Sequence, residues 1–467
     1  MTIDGSWGGE PPFVVGRDGT AYAWVNEPGE TATLAAFDTA GRMKPGWPFA
    51  APAGSEPVTL TPASDGSVLA GTFDGEDGEF VLARLDPDGR MVAGWPFRWS
   101  SARRCWPIDQ GPDGTIFVGR CTDDPGTLEI AALDPTGRVV AGWPVRLADE
   151  RLESEWWNAT IRVAGDGTVY ALVTSARGPR PATRLWALSR DGRTRPGWPV
   201  TLAASDAGLE IAPDGRLVVG AYLLPDGPPG SFDCLEADAT VITELDARGR
   251  TIAGWPRKEK GWATLPIVAG DGTVYVLAGE RVVARRPDGS VRPGWPVRIA
   301  GLRPECDATV PSLGADGTLY VSAGELRAYA PDGATKPGWP HTPEGGLAGW
   351  PCHQAATGGP VPAIGPDGVV YVATRSSSAD PTVAGQAEIT ALDRRGRVVR
   401  GWPSPLPLAW QVGRDGSYLA VAEGQLPGGV RTLAVADGRL YATATVCDPG
   451  WSGTQLLALE PDGSVAE

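Results

Sequence analysis

Residues 130–145 read IAALDPTGRVVAGWPV, and similar segments occur eight times along the chain. Each copy ends in Gly-Trp-Pro, and a glycine lies six residues before each tryptophan, as Gly137 does before Trp143. The eight tryptophans are Trp47, Trp95, Trp143, Trp198, Trp255, Trp295, Trp339 and Trp402. Their mean step, (402 − 47)/7 or about 51 residues, falls in the range of propeller blades rather than of the shorter solenoid repeats.

Each copy is preceded by a second turn signal, an Asp-Gly pair. These pairs begin at Asp18, Asp65, Asp113, Asp166, Asp214, Asp271, Asp316 and Asp367. Residues 268–278, VAGDGTVYVLA, place alternating apolar residues on both sides of such a pair, which is the pattern of a tight β-hairpin. Two hairpins per repeat give four short antiparallel strands, the content of one propeller blade.

The repeats predict an all-β fold, a closed β-propeller of four-stranded antiparallel blades. A single unit of about 40–50 residues buries too little apolar surface to be stable alone, whereas stacked units bury both faces of each sheet. Nine units can be counted, because Asp437-Gly438 and Gly463 mark a last unit that lacks Gly-Trp-Pro. Eight blades are the main alternative.

The predicted blades belong to a single domain that spans residues 1–467. Their approximate bounds are 11–49, 57–98, 105–147, 157–202, 206–257, 262–299, 307–341, 360–404 and 430–467. An extra hairpin is predicted over 408–422, and residues 2–8 are a possible ring-closing strand.

The variable connections of the repeat are expected at one end of the blades. Because antiparallel strands alternate in direction, the Asp-Gly turn and the later glycine turn lie at the same end, which we call the turn face. The connections between second and third strands and between blades lie at the other end, the loop face. The distance from Asp turn to glycine turn varies from 17 residues (Asp316 to Gly333) to 35 (Asp214 to Gly249). Function tends to lie on variable loops held by a regular scaffold.

The loop face collects aromatic, cationic and acidic residues that would suit a polar ligand such as a sugar or a peptide. The candidate ligand-binding residues are Arg103, Arg104, Trp106, Glu155, Trp156, Trp157, Asn158, Trp262, Arg303, Asp307 and His353. The alternative is that these side chains only pack between blades or face solvent. The eight repeated tryptophans are interpreted as structural, because their regular position indicates packing between blades.

Six cysteines occur: Cys105, Cys121, Cys234, Cys306, Cys352 and Cys447. Cys105 and Cys121 each lie eight residues from Asp113, so a hairpin centred there would bring them together as a disulfide. Two buried free thiols are the alternative, and the pairing of the other four stays open. No Cys-x-x-Cys occurs and only two histidines are present, so we expect no metal site.

The segment around Asp134 resembles the quinoprotein-type propellers, whose blades are called PQQ-like repeats. Blades of that family carry an alanine, an aspartate, a Thr-Gly pair and a docking tryptophan, and Ala132, Asp134, Thr136, Gly137 and Trp143 match that order. The step from glycine to tryptophan is longer here. A weaker similarity links the Gly-Trp-Pro ending to FG-GAP-type propellers, although no D-x-D-x-D-G calcium loop occurs.

The resemblance implies a non-catalytic member of the quinoprotein-like family. Quinone-dependent enzymes of that family usually carry adjacent cysteines that form a ring over the quinone, and this chain has no adjacent cysteine pair. The main prediction is therefore a monomeric binding or scaffold propeller without a cofactor that engages a protein or glycan through its loop face. The alternatives are a carbohydrate-active hydrolase or lyase that uses loop carboxylates (Glu153, Glu155, Glu305 or Asp307) and, less favoured, a quinone-dependent oxidoreductase.

Composition excludes two classes of partner. The 467-residue chain has a formal net charge of −15, which disfavours nucleic acids and anionic membrane surfaces. No run of 18 apolar residues is present, so no membrane span is expected. The even number of cysteines favours an extracytoplasmic or secreted protein. The first residues, MTIDGSWGGE, lack a signal-peptide pattern, so a cytoplasmic location is the alternative.

Overall fold

The fold of the chain is given by a computed structural model. It describes residues 13–16, 18–25, 31–38, 42–100, 105, 107–122, 124, 127–149, 157–175, 183–202, 205–223, 239–260, 266–299, 311–347, 361–376, 387–405, 410–412, 418–420, 429–436, 439–448 and 451–464. Every regular element within these residues is a β-strand. Consequently no described segment forms a helix that could cross a membrane.

The chain divides into two compact units. The first comprises Met1–Asp38, Met43–Val274 and Arg286–Ser290, and the second comprises Thr39–Arg42, Tyr275–Arg285 and Val291–Glu467. Both units contain the same building block, an antiparallel sheet whose strands follow chain order.

Blades 1 to 5 each have four strands. Their strands are β1 Phe13–Val15, β2 Ala21–Val25, β3 Thr33–Phe37 and β4 Phe49–Ala50; β5 Ser55–Pro62, β6 Val68–Asp74, β7 Glu79–Leu85 and β8 Phe97–Ser100; β9 Ile108–Gln110, β10 Ile116–Cys121, β11 Thr127–Leu133 and β12 Val145–Ala148; β13 Trp157–Val163, β14 Val169–Ser175, β15 Thr183–Leu188 and β16 Val200–Leu202; β17 Ser205–Ile211, β18 Leu217–Leu223, β19 Ala239–Leu245 and β20 Arg257–Lys260.

The remaining sheets follow the same order. Their strands are β21 Ile267–Val268, β22 Val274–Ala278, β23 Arg281–Arg285 and β24 Val297–Arg298 in blade 6; β25 Ser312–Leu313, β26 Leu319–Ala323 and β27 Glu325–Tyr329 in blade 7; β28 Ala363–Ile364, β29 Val370–Arg375, β30 Ala387–Leu392 and β31 Ser404–Pro405 in blade 8; β32 Trp410–Val412 and β33 Tyr418–Ala420 in a hairpin; and β34 Gly429–Ala436, β35 Arg439–Asp448 and β36 Trp451–Leu459 in the last sheet.

Within the described residues the sheets form eight four-stranded blades. Blade 7 gains its fourth strand at His341, whose backbone N–H and carbonyl both bond to Leu326 at 2.9 Å. The ninth repeat unit is the three-stranded sheet β34–β36. The predicted all-β propeller of antiparallel four-stranded blades is confirmed, with the alternative count of eight for complete blades. Residues 2–8, the possible ring-closing strand, lie outside the described residues.

The core consists of apolar clusters between neighbouring sheets rather than one central core. Between blades 3 and 4, for example, Phe117 and Trp143 pack with Ile161 and Val169. Similar clusters lie between blades 1 and 2, 2 and 3, 4 and 5, and 7 and 8. Each of these sheets is therefore stabilised by a neighbour, as the repeat argument requires.

The Gly-Trp-Pro segments connect each blade to the following sheet. In all eight, the indole N–H donates to a backbone carbonyl in the second turn of that sheet, at 3.0–3.3 Å. The preceding glycine is required: Gly94 has φ +93°, and a Cβ there would collide with the carbonyl oxygen of Thr136. The prediction that these tryptophans are structural is thus supported by their contacts.

The strand order also determines where the variable connections lie. First strands of successive sheets contact one another in both units, as β9 and β13 do in the first and β25 and β28 in the second, so the first strand is the inner one. The Oδ2 of Asp109 on β9 accepts the amide of Val163 on β13 at 2.7 Å. The Asp-Gly and glycine turns share the turn face, and the connections of variable length share the loop face.

Candidate functional site

The connection from blade 2 to blade 3 is fixed on the loop face by a disulfide. Cys105, just before β9, is bonded to Cys121 at the end of β10, as the sequence predicts. The amide of Cys121 also donates to the carbonyl of Cys105 at 3.3 Å. Cys121 is buried in the cluster between blades 3 and 4. The disulfide therefore ties one end of this connection to the blade core.

The other end of the same connection is held by Arg120, the residue next to Cys121. Its Nη1 donates to the carbonyl of Ser100, the last residue of β8. Its Nε and Nη2 donate to Oε2 of Glu129 at 2.8 and 2.6 Å, and its guanidinium lies 4.6 Å from the ring centre of Trp99. Two consecutive residues of β10 thus fix both ends of a connection of four residues, 101–104.

The next connection, from blade 3 to blade 4, begins with a second arginine contact. Asp149 follows β12, and its Oδ2 forms an ion pair with Nε of Arg184 on β15. Both side chains are largely buried, at 9% and 15% exposure, which favours a persistent pair over a solvated one. Arg184 also donates from Nη1 to Thr201 on the fourth strand of its blade. The end of blade 3 is therefore held at Asp149.

The described charges around these two connections are matched. Arg146 lies 2.5 Å from Asp124 and 3.9 Å from Glu129, which also receives Arg120. Each of these carboxylates faces a guanidinium, so its charge is stabilised by a structural partner. This arrangement fixes the described ends of the two connections.

A third connection, from blade 7 to blade 8, is held through its backbone. The amide of Arg375 at the end of β29 donates to the carbonyl of Gly346 at 2.9 Å, and Leu347 forms a β-bridge with Thr374. A Cβ on Gly345 would collide with the carbonyls of Arg375 and Ser376, so glycine is needed for this close approach. The segment that leads to residues 348–360 is thus fastened to blade 8.

Two carboxylates accompany this third connection. Glu388, at the start of β30, is partly buried, and burial together with the negative charge of Glu344 raises its pKa above the ordinary value. The hydroxyl of Thr374 lies 3.4 Å from its Oε1, a weak contact that opposes this rise. A raised pKa keeps a carboxyl protonated closer to neutral pH, the property required of a general acid.

Most of the candidate residues named from the sequence fall in connections between blades and lie outside the described residues. This holds for Arg103, Arg104, Trp106, Glu155, Trp156, Trp262, Arg303, Asp307 and His353. The backbones of Trp157 and Asn158 belong to β13, opposite Ser175 and Thr174. Among the described residues, no group of three or more His, Cys, Asp and Glu side chains could hold a metal ion.

The residues that fix the connections were not found from the sequence. Arg120 had one available signal, its position directly before a cysteine predicted to be bridged. No sequence pattern singled out Arg184 or Glu388, because both lie at the start of a third strand, where polar residues are common. Their contacts depend on which chain segments meet across blades.

Comparison with solved structures supports the fold. A crystal structure of the eukaryotic initiation factor has a TM-score of 0.52 at 10% identity, covering 96% of this chain and 94% of that one. Dipeptidyl peptidase 4 of Porphyromonas gingivalis (0.46, 10%, covering 97% and 58%) and the polysaccharide lyase Uly1 (0.40, 11%, covering 90% and 93%) are less similar. At these identities the likeness concerns fold alone. No family model and no curated protein matches the sequence.

Proposed function

We propose that this protein is a non-catalytic binding or scaffold propeller of the PQQ-like repeat type, and that it holds a protein or glycan on its loop face. The observation that carries the proposal is that the two described residues flanking positions 101–104 are held in place, Ser100 by Arg120 and Cys105 by the disulfide. Restraint of this kind lowers the entropy lost when a loop binds a ligand.

The ligand-binding surface would combine the connections before blades 3 and 4. The first carries Arg103, Arg104 and Trp106, and the second carries Glu155 and Trp156. Guanidinium forks bind carboxylates and hydroxyls with defined geometry, and tryptophan rings offer flat apolar surfaces. Trp157, Asn158, Trp262, Arg303, Asp307 and His353 would extend this surface from other connections of the loop face.

The disulfide also supports an extracytoplasmic location. Disulfides persist in oxidising compartments and are rare where thiols are kept reduced. A scaffold exposed outside the cytoplasm would meet glycans and cell-surface proteins, the two ligand classes proposed.

Glycan-array binding by the whole protein tests the proposal. Binding should weaken at least tenfold in the Arg103→Ala/Arg104→Ala variant, which corresponds to a loss of about 1.4 kcal/mol. The matched control is Arg90→Ala/Arg138→Ala, which removes two exposed arginines from the turn face. Equal binding by both variants would contradict the proposed surface, and breakdown of a bound glycan would contradict a non-catalytic role.

One observation favours a carbohydrate-active enzyme as the second candidate. Glu388, whose pKa is raised by burial and by the nearby Glu344, has the character of a general acid beside a second carboxylate. Incubation with a panel of polysaccharides would reveal this activity as shortened chains. Glu388→Gln should abolish it, while the Arg90→Ala/Arg138→Ala control should retain it.

A further inference from the structure

A repeated pair of residues reveals two exceptional blades. In six sheets an aromatic residue near the start of the second strand stands opposite an alanine in the third. These pairs are Tyr22–Ala36, Phe117–Ala132, Tyr170–Ala187, Tyr320–Ala328, Tyr371–Ala391 and Tyr441–Ala458. Blade 2 has Leu69 opposite Arg84 instead, and blade 5 has Val218 opposite Glu244. In both exceptions the aromatic ring is lost and a charge replaces the alanine.

The ordinary pair joins its blade to the next. The ring of Tyr22 lies 5.5 Å from that of Trp47, and its hydroxyl donates to the carbonyl of Gly66 in the following blade at 3.3 Å. Five of the aromatic residues in these pairs contact the tryptophan of their own blade in this way. In blades 2 and 5, which lack this ring, an arginine contacts the following turn instead.

In blade 2 that contact is balanced in charge. Arg84 donates from Nη1 to the carbonyl of Pro135 in blade 3 at 3.1 Å, and from Nε to Ser67 at 2.8 Å. Its Nη2 lies 2.7 Å from Asp65, a carboxylate that is 58% exposed. The buried guanidinium of Arg84 thus pairs with one carboxylate that is exposed to solvent.

In blade 5 the cluster carries one negative charge too many. Arg216 donates from Nε to Asp214 at 2.6 Å, from Nη1 to Oε2 of Glu244, and from Nη2 to the carbonyl of Gly272 in the next turn at 3.4 Å. Glu244 is fully buried, and its Oε1 has no hydrogen-bond partner. One guanidinium serves two carboxylates, and the buried one is incompletely satisfied, an unfavourable state for an ionised group.

The surroundings of Glu244 supply no second cation in the contacts described. The facing residue on β18 is the apolar Val218. The turn after β19 carries Asp246, which is paired with Arg250, and the turn of residues 269–273 carries Asp271, whose Oδ1 accepts the amide of Thr273. The charges that act directly on Glu244 are those of Arg216 and Asp214.

We propose that Asp214, Arg216 and Glu244 form a proton-sensitive contact between blade 5 and the turn of residues 269–273, tight when Glu244 is protonated and weaker when it is ionised. Protonation of the buried Glu244 leaves Arg216 paired with the ionised, half-exposed Asp214, so the cluster becomes neutral. Ionisation restores the excess negative charge, which is relieved when the contact opens and water reaches the carboxylate.

The direction and size of the pH dependence follow from the pKa of the Glu244 carboxyl. Burial, partly offset by Arg216 and reinforced by Asp214, raises the pKa of Glu244 from 4.5 to about 7. The stabilisation is fully present below the ordinary value and is lost as the pH rises through about 7. Because one pKa unit corresponds to a tenfold change, a shift from 4.5 to about 7 should increase the opening equilibrium by about 70-fold from pH 5 to pH 8.

Amide hydrogen exchange of the whole protein at pH 5, 6, 7 and 8, corrected for intrinsic rates, tests the proposal. The reporters are the turn amides of Ala212 and Ala269, which bond to Arg216 and Thr273. Their protection should fall with pH, while Ala63, the matching amide of the blade 2 turn, keeps its protection. Constant protection at Ala212 and Ala269, or an equal fall at Ala63, would overturn the proposal.

Two variants test whether the Glu244 carboxyl, rather than another group, causes the pH dependence of amide protection. Glu244→Gln keeps the shape and removes the titration, so protection of both turns should become independent of pH. The triple variant Arg216→Thr, Val218→Tyr, Glu244→Ala restores the ordinary pair and should behave likewise. If either folded variant keeps the wild-type pH profile, Glu244 is not the sensor. Should a variant fail to fold, the wild-type comparison between blades 5 and 2 decides alone.

Discussion

Removal of the disulfide should loosen the loop face of blade 3 without unfolding the blade. Cys105 and Cys121 are 16 residues apart in sequence, and closure of a loop of that length stabilises a fold by about 3 kcal/mol in the chain-entropy model. The strands β9 and β10 already pair within this loop, with Asp109 opposite Phe117, so part of that restraint exists without the bond. We therefore expect the Cys105→Ala/Cys121→Ala variant to lose about 1–3 kcal/mol.

Limited trypsin digestion locates the loss. Arg103 and Arg104 lie between the two attachment points of their connection, and a protease requires local freedom of the chain it cleaves. The variant should be cut after these residues several times faster than the wild type, while Arg90 and Arg138 on the turn face serve as control sites. Urea unfolding measured in parallel gives the change in overall stability.

Two results would refute this reasoning. If cleavage after Arg103 and Arg104 is unchanged in the variant, the disulfide does not restrain the connection. If cleavage accelerates equally at Arg90 and Arg138, the bond stabilises the whole blade rather than the loop face.

Three further substitutions test the fold. Trp143→Phe removes the indole hydrogen bond to the carbonyl of Arg190 (3.0 Å) and should lower the free energy of unfolding by about 1 kcal/mol in urea. An unchanged free energy of unfolding in this variant would contradict the docking role. Gly94→Ala adds a Cβ at φ +93° that collides with the next turn, so the melting temperature should fall, and an unchanged value would contradict that contact. Asp166 has its pKa lowered chiefly by the amide of Thr168, so its stabilisation is present above pH 3.8 and is lost in acid. The stability of Asp166→Asn should therefore fall less steeply in acid than that of the wild type. An identical dependence of stability on pH would contradict the stabilising role of the Asp166 carboxylate.

The fold could be predicted because its determinants are local. The step from Gly137 to Trp143 recurs in every blade, so one chain shows the same turn and docking residue eight times. The disulfide followed from the same regularity, since a hairpin centred on Asp113 brings Cys105 to Cys121. The nine units counted from the sequence include the three-stranded sheet β34–β36, so the described residues form eight complete four-stranded blades, the alternative count.

The contacts that hold the loop-face connections could not be predicted from the sequence, because they join segments that are distant in the chain. Arg120 and Arg184 act across segments that are distant in the chain, and no spacing rule connects Arg184 with Asp149. Arg84 and Glu244 were visible as departures from an alanine in the repeat. Their meaning required the strand pairing that sets each opposite a missing aromatic residue.

Photo-crosslinking in the native host tests the central claim most directly. A photoreactive amino acid at position 104, between the two attachment points on the loop face, should crosslink to a discrete protein or glycan-bearing partner. The same amino acid at position 138, on the turn face, should not. A discrete partner captured only from position 138 would contradict the claim that the loop face is the binding surface.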